Sequence, residues 1–175
     1  MIGRCNKPSL TVRPLRLIAV SMTYHIRSGN NSDDIACVNI LRDWANETPW
    51  MAELDDLKPM QDFWIGIFEN DLVWVAEIKG RIVGFCTRGV DDGPDNIGAL
   101  YVLSEVRSTG IGKGLLDMAK QNRDWVTVWA YEKNSDALRF YKREGLIEVC
   151  REIETSSNLM NIEHRWVKQR FNTSA

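Results

Sequence analysis

Three glycines alternate with other residues in a short segment that also carries two basic side chains: Gly110, Gly112 and Gly114, with Arg107 and Lys113. Glycine costs about 1 kcal/mol relative to alanine inside a helix, so three of them need a reason other than stability. A residue without a Cβ lets a ligand approach the backbone, and free N–H groups at a helix start bind anions. The segment predicts a pyrophosphate site; the alternative is a tight turn whose glycines serve packing.

The segment matches neither of two common nucleotide-binding motifs. A dinucleotide-binding GxGxxG motif needs a glycine three residues after Gly112, where the chain has Leu115. A Walker A loop needs serine or threonine after Gly-Lys, and Gly114 stands there. Neither a dinucleotide fingerprint nor a P-loop is therefore predicted.

The segment does resemble motif A of the GCN5-related N-acetyltransferase (GNAT) family. In that motif a Leu-Tyr-Val strand, here 100–102, is followed by Arg-x-x-Gly-x-Gly, here 107–112. Residues 129–146 resemble motif B, in which an asparagine opens a helix and a Phe-Tyr pair precedes a closing glycine. The two motifs lie in the family's order and spacing, and the resemblance extends over residues 22–169.

The resemblance implies a binding site for acetyl-CoA. The backbone of Leu100, Tyr101 and Val102 would pair with the pantetheine arm where two parallel strands splay apart. Asn134 would bind the same arm and cap its helix, with Ala137 in the first turn. The pyrophosphate would bind Arg107, Ser108, Thr109, Gly110, Ile111, Gly112 and Lys113. Ser108 departs from the glycine that is usual at its position.

The implied reaction is direct attack of an amine on the thioester in a ternary complex. The N–H of Val102 would polarise the thioester carbonyl. Tyr141 would protonate the departing thiolate; the alternative is a core aromatic residue with no catalytic role. The general base is left open between Glu132, Asp95 and a water molecule. No cysteine lies in either motif, which disfavours a covalent acetyl-enzyme.

In the family, the stretch that corresponds to residues 43–71 shapes the acceptor site. Here this stretch is acidic, with Lys58 as its one basic residue, and it contains Trp44, Trp50 and Trp64. Acidic and aromatic surface suits a cationic amine; the alternative is a solvated acidic helix face with tryptophans in the core. We expect a small cationic primary amine as the acceptor. The competing interpretations are a protein N terminus or lysine as acceptor, and a non-catalytic acyl-CoA-binding regulatory module.

Apolar periodicity and turn residues predict the elements that position these residues. Strands are expected at 23–27, 72–79, 81–90, 96–103, 125–131, 147–154 and 159–167, and helices at 33–46, near 60–68, from 111 and at 134–144. The predicted fold class is α/β (α+β): a GNAT-like mixed, mostly antiparallel sheet of about six to seven strands, flanked by about four helices. The cofactor would lie in the splay between two central parallel strands.

The composition is that of an ordinary globular protein, with 175 residues, 44% of them apolar and 26% charged. A formal net charge of −2 disfavours nucleic-acid binding, and no apolar run approaches the roughly 20 residues that cross a bilayer. The four cysteines lie far apart, so no metal site is predicted and reduced thiols in the cytoplasm are expected. The expected partner is a small-molecule amine, and a homodimer is left open.

Two segments of different character divide the chain. Residues 1–21 contain two prolines and no periodic apolar face, so we predict a disordered tail there. Residues 22–175 are predicted to form a single acetyltransferase domain.

Overall fold

The computed structural model describes residues 23–51, 66–68, 72–89, 93–155 and 157–169. These form eight strands, three helices, a helical segment at 66–68 and two short 3₁₀ turns, Asn31–Asp33 and Ser104–Val106. The strands are β1 His25–Ser28, β2 Leu72–Ile78, β3 Arg81–Arg88, β4 Asn96–Ile97, β5 Ala99–Val102, β6 Trp125–Tyr131, β7 Ile147–Glu154 and β8 Leu159–Val167. The helices are α1 Asp34–Asn46, α2 Ile111–Lys120 and α3 Ser135–Arg143.

Two predicted segments fall largely outside this description. The tail predicted at 1–21 lies outside the described residues. Of the helical region predicted near 60–68, the structure describes residues 66–68, which are helical. None of the helices among the described residues is long and apolar enough to cross a membrane.

The helix predicted at 33–46 is confirmed, and reciprocal capping fixes the start of the 3₁₀ turn Asn31–Asp33 that leads into it. The side chain of Asn30 accepts a hydrogen bond from the N–H of Ser32 at 3.0 Å, and the Asp33 carboxylate accepts one from the N–H of Asn30 at 2.9 Å. This arrangement satisfies two N–H groups that a helix start leaves without partners. The helix then buries Cys37, Val38 and Ile40 against the sheet.

The first sheet has the strand order β1-β2-β3-β5, and every pair in it is antiparallel. The hairpin predicted at Lys79-Gly80 is present: both residues have positive φ, 51° and 78°, as a two-residue type I′ turn requires. Helices α1 and α2 both pack against β3. The core therefore lies between this sheet and the two helices, with Phe85 of β3 fully buried.

The single strand predicted at 96–103 is wrong: the structure has two strands there, separated by Gly98. β4 pairs in parallel with β6, with Ile97 opposite Val128, whereas β5 pairs antiparallel with β3, with Val102 opposite Gly84. The chain therefore changes partner strand, and with it the sheet, within one apolar run. The predicted burial holds for Ile97, Ala99 and Leu103, whereas residues 100–102 are half-buried. Apolar character does not specify the partner strand. This division brings the total to eight strands.

The second sheet has the order β4-β6-β8-β7, and its one parallel pair is β4–β6. Helix α2 connects the two halves of this parallel unit, as the predicted crossover requires. The helix buries Ile111, Leu115 and Ala119, one apolar stripe at helical spacing. The first sheet and the second sheet thus share the segment 96–102 and diverge beyond Ile97.

A partly buried ion-pair cluster holds β1, the turn before α1 and β2 together. The guanidinium of Arg27 contacts both carboxylate oxygens of Asp33, at 2.7 and 2.8 Å, and Glu77 at 2.8 Å. Asp33 is 4% exposed, and the hydrogen bonds from Arg27 lower the pKa of its carboxyl group. The cluster fixes the end of the first sheet against which α1 begins.

Replacing Asp33 by asparagine is expected to lower the free energy of unfolding at pH 7 by about 1–3 kcal/mol, because a buried carboxylate partner is lost. Because the pKa of the Asp33 carboxyl group is lower in the folded state than in the unfolded state, where it is about 3.9, the ionised carboxylate stabilises the fold above that pH. This stabilisation is lost as the pH falls through the pKa of the folded state. In urea unfolding, the difference in the free energy of unfolding between wild type and Asp33→Asn should become smaller below about pH 4. Exposed Asp43→Asn is the control, and a difference that does not change with pH would contradict the prediction.

Candidate active site

A cleft of about 820 Å³ opens where β5 and β6 diverge. Its lining includes predicted residues from both motifs: Leu100, Tyr101, Val102, Arg107, Ser108, Gly110, Gly112, Lys113, Asn134, Ala137 and Tyr141. The side chains of Thr109 and Ile111 are not part of the lining; the Thr109 hydroxyl donates to the carbonyl of Val106 at 2.7 Å, and Ile111 is 1% exposed. The tertiary structure thus brings the two predicted motifs to one cavity.

One backbone edge of β5 faces this cleft. The N–H of Leu103 donates to the carbonyl of Val83 on β3 at 2.9 Å. Since successive residues of a strand present their N–H and C=O groups to opposite edges, Leu100 and Val102 present theirs to the cleft. An extended ligand can therefore pair with β5 in the place of a neighbouring strand.

The start of α2 supplies a second set of backbone donors. The first hydrogen bond within the helix runs from the N–H of Gly114 to the carbonyl of Gly110 at 3.0 Å. The N–H groups of residues 111–113 precede it and have no acceptor in the helix, which makes this end an anion site. The residue before the helix, Gly110, has φ = +94°, and Ser108 has φ = +65°. A left-handed conformation at 108 is the physical reason why glycine is usual there.

The three alternating glycines have three different reasons. Gly110 is needed for its positive φ. A Cβ at Gly114 would lie 2.8 Å from Ile26 Cδ1 and 3.1 Å from the Tyr24 hydroxyl, so this glycine lets β1 approach α2. A Cβ at Gly112 would meet the Phe140 ring at 3.5 Å, an ordinary contact, so packing does not require a glycine there. The sequence analysis predicted a ligand site for the segment and left packing open as the alternative; the structure assigns Gly114 to packing.

Both basic residues of motif A already have partners in the protein. Lys113 forms an ion pair with Asp117 one turn further on. Arg107 donates from Nε to the carbonyl of Val102 at 3.1 Å and from Nη2 to Glu47 at 3.2 Å. These are exposed contacts, and exposed ion pairs contribute no more than about 1 kcal/mol. A phosphate ligand can therefore displace them.

Helix α3 places two predicted residues on the cleft. The side-chain oxygen of Asn134 accepts a hydrogen bond from the N–H of Ala137 at 3.1 Å, which confirms its capping role. Two turns later Tyr141 is 5% exposed, with its ring centroid 5.3 Å from Phe140 and 5.7 Å from His164. Its hydroxyl makes no hydrogen bond to the residues that the structure describes. Burial raises the pKa of Tyr141, so the phenol stays protonated.

Neither carboxylate considered as general base lines the cleft. Glu132 is exposed and bound by Arg151 at 2.7 Å, and Asp95 pairs with Arg123 at 3.3 Å. Within the described part of the chain, the carboxylates that do line the cleft are Glu47 and Asp136. Each is paired with an arginine.

Four aromatic residues form one end of the cleft: Trp44, Trp50, Tyr101 and Tyr131, hereafter the aromatic wall. Ring centroids lie 5.1 Å apart between Trp44 and Tyr101, 6.0 Å between Trp44 and Trp50, and 5.6 Å between Trp50 and Tyr131. The sequence analysis named the two tryptophans for the acceptor site. It did not name the two tyrosines for that site, because they lie on β5 and β6 and reach the tryptophans only through the tertiary structure. Trp64 and most of the acidic residues of 43–71 lie outside the described residues.

The described residues contain no group of three or more His, Cys, Asp or Glu side chains placed to hold a metal ion. The polar groups that line the cleft are backbone amides, side-chain amides, hydroxyl groups and charged side chains. Sequence reasoning missed Glu47 as a partner of Arg107, since the two are 60 residues apart.

Comparison with known proteins identifies the family. A model of the acetyltransferase (GNAT) domain matches residues 69–146. An uncharacterized N-acetyltransferase of Methanocaldococcus jannaschii is 31% identical over 121 residues, 66% of this chain and 73% of that protein. The peptidyl-lysine N-acetyltransferase YiaC of Escherichia coli is 26% identical over 113 residues, 61% of this chain and 73% of that protein. The chain belongs to the GNAT family and is an acetyltransferase.

Solved structures show the same fold. YjaB of Escherichia coli superposes with a TM-score of 0.68 at 20% identity, over 85% of this chain and all of that one. The acetyltransferase YncA of Salmonella typhimurium, whose structure contains its cofactor acetyl-CoA, superposes with a TM-score of 0.64 at 16% identity, over 87% of this chain and 98% of that one. The predicted GNAT-like fold is confirmed.

The different reasons for Gly112 and Gly114 predict different effects of alanine. Gly114→Ala should lower the free energy of unfolding by about 1–3 kcal/mol, because its Cβ meets β1. Gly112→Ala should leave stability unchanged or raise it by up to about 1 kcal/mol, and should reduce the thermal shift given by CoA. Urea unfolding and thermal shift on both variants test this, each serving as control for the other. An undiminished CoA shift in Gly112→Ala would remove the ligand reason for that glycine.

Proposed function

We propose that this acetyltransferase moves the acetyl group of acetyl-CoA to a primary amine, which attacks the thioester directly in a ternary complex. One observation chiefly carries the proposal: the cleft-facing backbone of β5 leads to the N–H groups at the start of α2. An extended arm that ends in a pyrophosphate needs both features, in that order. The room for a Cβ at Gly112 supports the fit, because protein packing does not account for that glycine.

The residues that would hold acetyl-CoA follow from this arrangement. Leu100 and Val102 offer backbone groups to the pantetheine arm, and Asn134 offers its side chain. The amides of 110–113 would bind the pyrophosphate. Arg107 would leave the carbonyl of Val102 and Glu47 to contact phosphate oxygens, at a small cost because those contacts are exposed.

Bound acetyl-CoA supplies the acetyl group as a thioester. The N–H of Val102 faces the cleft and would donate to the carbonyl oxygen where negative charge develops. The Tyr141 hydroxyl, kept protonated by burial, would donate a proton to the departing sulfur. Water in the cleft would take the proton of the amine, because Glu132 and Asp95 lie outside the lining.

The acceptor is proposed to be a small cationic amine. The observation behind this choice is the aromatic wall, together with the carboxylate of Glu47, which follows α1, lines the cleft and would lose its ion pair when Arg107 contacts the phosphates. A second acceptor class, a peptidyl lysine or a protein N terminus, is favoured by the similarity to the E. coli peptidyl-lysine acetyltransferase.

The proposal extends to the organisation of the chain. We take residues 22–175 to be one catalytic domain, supported by solved GNAT structures that superpose on 82–87% of the chain.

A cytoplasmic location is supported by the free thiols of Cys37, Cys86 and Cys150 among the described residues.

Release of CoA from acetyl-CoA in the presence of candidate acceptors tests the function. The panel contains spermidine, phenethylamine, aminoglycosides, amino acids, a lysine peptide, and 2-phenylethanol as a neutral control. We expect release with at least one cationic small amine and none with the alcohol. Preference for the peptide would select the second acceptor class. Acetyl-CoA at about 100 times its Kd should also stabilise the fold by about 2.7 kcal/mol. No release and no stabilisation would reject the proposal.

Removing the Tyr141 hydroxyl tests the proposed proton donor. Tyr141→Phe keeps the ring and its contacts, so Tm and the Kd of CoA should hardly change. The kcat should fall by about a hundredfold, the low end of general-acid effects, because a thiol is already a fair leaving group. Steady-state kinetics with the best amine of the panel measure the loss. Tyr101→Phe, a second tyrosine of the cleft, is the matched control. A wild-type kcat in Tyr141→Phe would contradict the assignment, and a loss confined to Tyr101→Phe would move the role there.

A further inference from the structure

The aromatic wall is assembled from separate parts of the chain. Trp44 belongs to α1, Trp50 to the turn that follows it, Tyr101 to β5 and Tyr131 to the end of β6. Each ring contacts another ring of the wall nearly edge to face, with interplanar angles of 65–82°. All four are only partly buried and line the cleft. Rings packed only as core would not retain this exposure to one cavity.

A carboxylate lies behind the wall. The hydroxyl of Tyr131 donates to Glu154 Oε2 at 2.6 Å, and Ser157 donates to the same carboxylate. Burial and this hydrogen bond raise the pKa of Tyr131 to about 12, so the phenol remains a donor at neutral pH. A carboxylate bound to the hydroxyl increases the electron density of the ring, which favours a cation over its face.

The basic side chains of the cleft come from other elements. Lys113 lies on α2, Arg139 and Arg143 on α3, and Arg107 and Lys133 in the turns that precede these helices. These helices and turns carry the proposed cofactor site. The carboxylates of the lining, Glu47 and Asp136, are paired with two of these basic residues, Arg107 and Arg139. The wall itself consists of uncharged rings, so its attraction for a cation is that of the aromatic faces.

We infer that the aromatic wall is the specificity site for the acceptor and binds a cationic group of that molecule through its ring faces, with Trp50 and Tyr131 as the determining residues. This inference rests on the proposed function, because it assigns the acceptor end of the same cleft. The ligand class is an alkylammonium group attached to a small body. A neutral molecule of the same shape gains the apolar contact but not the electrostatic one.

Two probes of equal shape separate charge from size: choline and its neutral isostere 3,3-dimethyl-1-butanol. Calorimetric titration of the full chain should give a lower Kd for choline by about twofold to thirtyfold, the range of a cation over aromatic faces. Trp50→Leu should bring the two Kd values together. Tyr131→Phe keeps the ring but loses the link to Glu154, and should weaken choline alone, by about twofold to threefold. Exposed Trp125→Leu, outside the cleft, is the matched control.

Equal Kd values for the two probes in wild type, including no binding of either, would overturn the inference. An unchanged ratio of the two Kd values in Trp50→Leu would also overturn it, provided that Tm shows the variant to be folded. Trp50→Phe retains a smaller ring and should give a ratio between those of wild type and Trp50→Leu. The Kd of CoA is measured on the same samples. Absence of a choline preference in wild type, with CoA binding intact, refutes the inference alone, whereas absence of CoA binding refutes the proposed function.

Discussion

The change of hydrogen-bonding partner at Gly98 is the constraint on which the rest of the site depends. Ile97 pairs with β6, but from Ala99 onward the same segment pairs with β3. β5 and β6 must therefore separate beyond Ile97, because the segment pairs with β6 only as far as Ile97 and with β3 after it. The separation leaves the cleft-facing groups of Leu100 and Val102 without a strand partner. The carbonyl of Val102 accepts from Arg107 instead, and a ligand or water can pair with the other groups.

The electrostatics of the cleft follow from the same geometry. The strand that ends at Val102 leads through a 3₁₀ turn to the start of α2, so backbone donors accumulate at one end of the cleft. The basic side chains there are held by weak exposed contacts with Glu47 and Asp117. Such contacts keep the charges solvated and near the site at little cost in stability, and an anion that also receives the helix amides replaces them easily.

The opposite end of the cleft is built by residues that are distant in sequence. Trp50 meets Tyr131, and Glu154 of β7 holds the Tyr131 hydroxyl. Under the proposed function, acceptor preference would be separable from cofactor binding, because the aromatic wall and the proposed cofactor site share the strand β5 but few side chains. A family with one reaction and many acceptors is expected to vary in this part of the fold.

The sequence alone determined the local features of this protein. Apolar periodicity placed α1, α2, α3 and most strands. The order of Leu-Tyr-Val, Arg-x-x-Gly-x-Gly and Asn134 to Tyr141 identified the family, because helix capping and backbone conformation depend on short stretches of sequence. Only the tertiary structure decided that the apolar run 96–103 is divided between two sheets, that Gly114 serves packing, and that Glu132 lies outside the cleft. Those outcomes depend on which strand pairs with which, and on contacts between residues far apart in the sequence, such as Tyr24 with Gly110, 86 positions away. A local pattern does not contain that information.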